Sequence, residues 1–86
     1  MSQPYSLFVR HELYEVIRQM RPKWRAQVVR YLESLSADPF QSGDYTECDP
    51  SGRLIQVKVM GPWAILFWTD HAVSEVKVVQ ILPSDH

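Results

Sequence analysis

The sequence lacks the features that mark most secreted, membrane-spanning and disulfide-bonded proteins. Its single cysteine, Cys48, excludes an internal disulfide bond and a zinc site made of several thiolates. The longest uninterrupted apolar run, Trp63–Trp68, is far shorter than the roughly 20 residues that a membrane-spanning helix needs. The N-terminus shows no basic region followed by an apolar stretch. We therefore expect a cytoplasmic protein with no membrane association.

Glycine is also scarce, and the potential metal ligands are scattered. The three glycines, Gly43, Gly52 and Gly61, each suit a loop or turn, and none belongs to a phosphate-binding glycine motif. The residues that might bind a metal have no recognised ligand spacing; they are His11, His71, His86, Asp70 and Cys48. We expect no metal ion and no other cofactor.

The composition predicts one folded domain over residues 1–86, because a chain of this length can bury one hydrophobic core and not two. Charge is unevenly distributed along it. Tyr31–His86 carries three basic residues against eight acidic ones, whereas Arg10–Arg30 is basic. The basic residues of that first half are Arg10, Arg18, Arg21, Lys23, Arg25 and Arg30, against Glu12 and Glu15. This half can attract an anionic partner, or its charges can simply solvate a helix surface.

Hydrophobic spacing predicts a short opening strand and then two helices. The strand spans Tyr5–Val9. Helix one is expected over His11–Met20 and helix two over Pro22–Ala37, because apolar residues recur there every three or four positions. Proline at position 22 suits a first helical turn, and Asp38-Pro39 should end the second helix. The two helices should form a hairpin.

After Gly43 the pattern becomes strand-like. Short strands are expected at Tyr45–Glu47, Ile55–Val59, Trp63–Trp68 and Val76–Leu82. The Trp63–Trp68 strand is apolar at every position, so we expect it to be covered on both faces of the sheet. Turns at Asp49–Gly52, Met60–Pro62 and Thr69–Ser74 separate them, and such short connections make neighbouring strands antiparallel. We predict an α+β fold in which an N-terminal strand and a two-helix hairpin pack on a three- to four-stranded antiparallel sheet.

Basic residues next to aromatic ones suggest an RNA-binding surface, because phosphates attract cations and unpaired bases stack on rings. The candidate RNA-binding residues are Lys23, Arg25, Arg30 and Lys77. Lys58, with Trp63 and Trp68, is a second such group. Trp24 and Trp63 are more often core residues than base-stacking residues at such positions.

Three segments resemble the RelE/ParE superfamily of type II toxin–antitoxin toxins, and the resemblance covers nearly the whole chain. Tyr31–Pro39 (YLESLSADP) is similar to the family's helix closing before proline. Gly52–Phe67 (GRLIQVKVMGPWAILF) is similar to its strand, glycine turn and apolar strand, and Val76–Ile81 to its last strand. The resemblance implies a cognate antitoxin, a link to plasmid stabilisation and, in the RelE branch, metal-independent cleavage of mRNA on the ribosome.

In an RNA-cleaving enzyme of this kind, Arg53 and Lys58 would bind the phosphate and His86 would transfer a proton, with His71 as a weaker candidate. Two family features differ here. Ala64 stands where the family commonly has arginine, and the chain closes in LPSDH without the family's tyrosine. Two alternatives therefore stay open: a non-catalytic antitoxin-binding module on the same scaffold, and a ParE-like gyrase inhibitor.

Overall fold

The computed structural model describes residues 5–84, which form two helices and a five-stranded sheet. Their order is β1 (Ser6–Val9), α1 (His11–Gln19), α2 (Pro22–Ala37), β2 (Tyr45–Cys48), β3 (Leu54–Met60), β4 (Trp63–Asp70) and β5 (Glu75–Pro83). All predicted elements are present, α2 has the predicted bounds, and α1 ends one residue early. Within residues 5–84, neither helix is long and apolar enough to span a bilayer.

Both helices form because their apolar residues lie on one side. The buried residues are Leu13 and Ile17 in α1 and Val28, Leu32 and Leu35 in α2. Pro22 opens α2, where its missing N–H is no loss. Asp38 ends the helix, with φ −133° and ψ 81°, because the following Pro39 disfavours helical geometry.

The sheet has the strand order β1-β5-β4-β3-β2. Strands β2 to β5 are successive antiparallel neighbours, as their short connections require. Strand β1 pairs with β5 in parallel, with Phe8 opposite Lys77. The predicted α+β class is thus confirmed, with a sheet one strand wider than expected.

The helices cover one face of the sheet only. Ile65 and Phe67 of β4 and Val78 of β5 belong to the core cluster that the helices share. Side chains alternate along a strand, so Trp68 and its cross-strand partner Lys77 lie on the opposite face. We call this opposite side the open face. The expectation that β4 is covered on both faces was therefore wrong, although β4 is the middle strand as predicted.

Candidate functional site

The open face carries an aromatic ring between two cations. The guanidinium carbon of Arg53 lies 3.9 Å from the centre of the Trp68 ring, and Lys77 Nζ lies 4.9 Å from it. Trp68 is half-buried. A cation over an indole face is attracted by the ring's quadrupole, so the Trp68 ring helps to keep the Arg53 and Lys77 side chains at this point of the sheet.

A depression of about 400 Å³ lies beside this ring, and we call it the open-face groove. Ile55, Leu66 and Val79 contribute apolar side chains to its lining. Its charged lining residues are Arg10, Glu47, Asp49 and Arg53, and Trp68 also lines it. The groove therefore combines two cations, two carboxylates and an aromatic ring over an apolar base.

Arg53 is positioned by the turn that precedes β3. Asp49 Oδ1 accepts hydrogen bonds from the backbone N–H and hydroxyl of Ser51, at 2.9 and 2.6 Å, and from the Arg53 N–H at 2.9 Å. The Ser51 hydroxyl is the main cause of a lowered Asp49 pKa, followed by the Arg53 N–H. Because Asp49 Oδ2 also lies 3.8 Å from Arg53 Nη1, this carboxylate is committed to the turn.

Lys77 is held by two carboxylates. Its Nζ lies 3.3 Å from Asp70 Oδ2 and 3.8 Å from Glu75 Oε1. The cations around Trp68 are thus partly neutralised by their neighbours. An anionic ligand at this site would have to compete with these carboxylates for Arg53 and Lys77.

Lys58 lies on the helical side of the sheet, away from Arg53. It stands opposite Ile65 of the core cluster, and its Nζ lies 5.8 Å from the centre of the Tyr31 ring of α2. Asp44 Oδ1 pairs with it at 3.5 Å. The structure therefore does not bring together the two cations to which the sequence assigned a shared phosphate.

Tyr31 is an unusual residue on this side. Its hydroxyl is buried and finds no hydrogen-bond partner among residues 5–84. Burial, and secondly the negative charge of Asp44, raise the Tyr31 pKa to about 12. The ring remains uncharged at neutral pH.

The other predicted RNA-binding cations lie on α2, again away from the open face. Lys23 Nζ is 4.9 Å from the Trp24 ring centre, and Arg25 donates to the Arg18 carbonyl oxygen at 3.1 Å. Arg30 is exposed beside Tyr31. Of the four predicted RNA-binding residues, only Lys77 therefore lies beside Arg53.

The two candidate histidines have different outcomes. His86 lies outside the described residues. His71 lies in the β4–β5 turn, as predicted, where its Nδ1 is 3.0 Å from the Tyr5 hydroxyl and its ring stacks on Phe40. His71 does not line the open-face groove.

Sequence reasoning missed Arg10 and Glu47 as site residues. Arg10 was counted with the helices, although it directly follows β1, and Glu47 was an ordinary polar residue of a short strand. Alternation was the available signal, because Glu47 is the cross-strand partner of Ile55, which lines the groove. Ala64, at the family's arginine position, lies on the open face and is 1% exposed.

This arrangement is chemically suited to binding a nucleic acid strand. Arg10, Arg53 and Lys77 can contact phosphates, Trp68 offers a ring, and Glu47 is a carboxylate able to accept a proton. No cluster of three or more His, Cys, Asp or Glu residues able to hold a metal ion occurs among residues 5–84.

No family model matches the chain, and no curated protein matches its sequence significantly. Solved structures are similar to it. A chain of the RelBE2 toxin–antitoxin complex from Mycobacterium tuberculosis shares 18% identity at a TM-score of 0.70, covering 93% of this chain and 98% of that one. A chain of an archaeal RelE–RelB complex from Pyrococcus horikoshii shares 7% identity at a TM-score of 0.78, and the match covers 94% of this chain and 96% of that one. A mutant of the E. coli toxin RelE in the free state shares 10% identity at a TM-score of 0.71, and the match covers 96% of this chain and 86% of that one. The chain therefore has the fold of the RelE toxins, as the resemblance predicted.

Proposed function

We propose that this chain is the toxin of a type II toxin–antitoxin pair and that it inhibits translation by cleaving mRNA on the ribosome. The observation that carries the proposal is the grouping of Arg53 and Lys77 around Trp68 on the open face, beside a groove that Arg10 and Glu47 also line. The RelE fold supports the same assignment.

The groove supplies most of the groups that metal-independent RNA cleavage needs. Glu47 takes the proton of a ribose 2′-hydroxyl, and the 2′-oxygen attacks the adjacent phosphorus. Arg53 and Arg10 stabilise the negative charge that the phosphate gains. The bond from phosphorus to the 5′-oxygen breaks, leaving a 2′,3′-cyclic phosphate, and the departing oxygen takes up a proton, the role that the sequence gives to His86.

Arg10 supplies the groove with a cation that Ala64 does not. Where the family commonly has an arginine on β4, this chain has the buried Ala64. Arg10 reaches the groove from the end of β1 and adds a cation there. Its Nε lies 3.6 Å from Glu12 in an exposed pair, which is weak enough for a phosphate to displace.

The partner of the chain is, by the same proposal, a cognate antitoxin. Two of the similar structures are complexes of a toxin with its antitoxin. Lys23, Arg25 and Arg30 on α2 give this chain a basic surface on the helical side, suited to an acidic antitoxin segment or to phosphates outside the groove.

Induced expression in a bacterial host tests the proposal, with growth and the 5′ ends of mRNA as readouts. We expect growth arrest and new 5′ ends within translated codons. Arg53→Gln and Glu47→Gln should each lower the cleavage rate by about 100-fold or more, because Arg53 stabilises the charge of the transition state and Glu47 removes the proton of the 2′-hydroxyl. Arg18→Gln removes a charge outside the groove and is the matched control.

The alternatives predict other results. A folded protein that neither arrests growth nor cleaves mRNA, yet binds the product of an adjacent short gene, would be a non-catalytic antitoxin-binding module. Inhibition of DNA supercoiling by gyrase, with mRNA intact, would identify a ParE-like inhibitor. Either result would overturn the proposed cleavage.

A further inference from the structure

The loop between α2 and β2 presents an exposed aromatic ring next to the open face. Phe40 is 74% exposed, the largest exposed fraction among the large apolar residues of the described chain. Its ring stacks on His71, with centres 4.9 Å apart and planes at 17°. Tyr5 supports His71 from the side, through an edge contact at 5.6 Å and the hydroxyl contact to Nδ1. We call the Phe40 and His71 rings the platform.

The platform is held in place by hydrogen bonds to its loop. Thr69 Oγ1 donates to the Pro39 carbonyl oxygen at 3.1 Å, directly before Phe40. Gln41 Nε2, directly after it, donates to the Ser34 carbonyl oxygen at 3.2 Å. These bonds hold the backbone on both sides of Phe40, and the stack on His71 orients its ring, which nevertheless stays mostly exposed. Phe40 and the exposed Leu54 line the same depression, and neighbouring exposed apolar side chains of this kind are a feature of binding surfaces.

A depression of about 350 Å³ connects the platform with the open-face groove. Arg53 and Trp68 line both depressions, so they form the boundary between them. Leu54, 63% exposed, adds apolar surface. Among the described residues that line this second depression, Arg53 is positively charged and none is a carboxylate. A ligand extending from the groove therefore meets apolar rings and a cation.

We propose that the platform is a subsite that stacks one unpaired nucleobase of the RNA strand bound in the open-face groove. Arg53, between the two depressions, would contact the phosphate that links this nucleotide to the next. Stacking suits the geometry because every base offers a flat face, and unpaired bases stack on aromatic side chains. The inference rests on the proposed function, since it requires the groove to bind RNA.

Binding of a short, labelled single-stranded RNA, protected from cleavage by 2′-O-methyl groups, tests the inference by fluorescence anisotropy. We expect Phe40→Ala to weaken binding about tenfold, the loss of one base–aromatic stack. Phe40→Trp should retain wild-type affinity, whereas Phe40→Leu, apolar but not aromatic, should not. Tyr14→Ala, which removes another exposed aromatic residue, on α1, should change nothing.

An abasic nucleotide placed at each position of the RNA identifies the stacked base. At one position, it should weaken binding to the wild type about tenfold and leave the already weakened Phe40→Ala variant unaffected. If Arg53→Gln weakens binding and Phe40→Ala does not, the platform inference is wrong and the proposed function stands. If the folded wild type binds no RNA, the platform inference fails, whereas the proposed function, which concerns mRNA on the ribosome, is decided by the induced-expression test.

Discussion

Arg53 lies over the Trp68 ring at 3.9 Å, closer than Lys77 on the same ring at 4.9 Å, and this contact joins the start of β3 to the end of β4. Within residues 5–84, Arg53 pairs with one carboxylate, Asp49, at 3.8 Å, whereas Lys77 pairs with two, Asp70 and Glu75. Arg53 is thus the cation that depends more on the ring.

This difference is measurable as a coupling free energy. A double-mutant cycle of Arg53→Gln and Trp68→Leu, followed by urea unfolding, should give a coupling of about 0.5–1 kcal/mol, the usual size of a partly exposed cation–π contact. The matched cycle of Lys77→Met and Trp68→Leu should give less. Equal couplings in the two cycles would contradict the ranking that we draw from the distances.

Gly61 in the β3–β4 turn should tolerate no side chain. Its φ of +59° disfavours other residues, and a Cβ atom there would come within 2.3 Å of the Trp24 ring. Gly61→Ala should lower the free energy of unfolding by ~2 kcal/mol or more, since backbone strain adds to displacement of the ring. Thermal or urea unfolding measures the loss.

Gly52 provides the control for this substitution. It also has a positive φ, +88°, but a Cβ atom there would meet nothing within 4 Å. Gly52→Ala should therefore cost only the backbone strain, about 1–2 kcal/mol. If both variants lose the same stability, the Trp24 ring does not restrict position 61.

The elements of this fold were predictable because their signals are local. The stripe of α2, with Pro22 at its start and Asp38-Pro39 at its end, fixed a helix whose bounds the structure reproduces. The turn at Asp49–Gly52 was equally predictable, since the Asp49 side chain accepts hydrogen bonds from backbone N–H groups within four residues of it. Interactions of this kind depend on neighbouring residues alone.

The site was less predictable because it depends on contacts between distant parts of the chain. Arg10 reaches the groove only because β1 pairs in parallel with β5, more than sixty residues later, as the Phe8–Lys77 register shows. Lys58 and Arg53 are close in sequence, yet an odd separation of five residues along an extended segment directs their side chains to opposite faces. Charge and spacing alone do not reveal these placements.

Asp49→Asn should destabilise the protein at neutral pH and lose that effect in acid. The folded pKa of Asp49 lies below its ordinary value of 3.8, so ionisation stabilises the folded chain above that pH. The stabilisation disappears as the pH falls through the folded pKa. Urea unfolding of both proteins at several pH values should show their difference shrinking below pH 3.8.

Ser51→Ala offers a check on the cause of this effect. The Ser51 hydroxyl is the largest contributor to the lowered Asp49 pKa. Its removal should bring that pKa closer to 3.8 and reduce the pH dependence without abolishing it, because the Arg53 N–H remains bound. A difference between wild type and Asp49→Asn that stays constant into acid would show that the charge is not what stabilises the turn.

Tyr31→Phe should stabilise the protein at neutral pH. The substitution keeps the ring, which packs edge-on against Phe67 with centres 6.1 Å apart, and removes a buried hydroxyl that has no hydrogen-bond partner within residues 5–84. A gain of ~1 kcal/mol in the free energy of unfolding is expected, since leaving such a group unpaired costs about that much or more. Tyr14→Phe, on an exposed ring of α1, should have no effect.

The same substitution should change the response to alkali. The folded pKa of Tyr31, about 12, exceeds its ordinary value of 10.0, so the unfolded chain loses this proton first as the pH rises. Wild-type stability therefore declines from pH 10 towards pH 12 through Tyr31, in addition to any lysine contribution, and Tyr31→Phe lacks that part of the decline. Its advantage should widen across this interval in urea unfolding. An advantage that stays constant would mean that the Tyr31 hydroxyl ionises equally easily in the folded and unfolded chain.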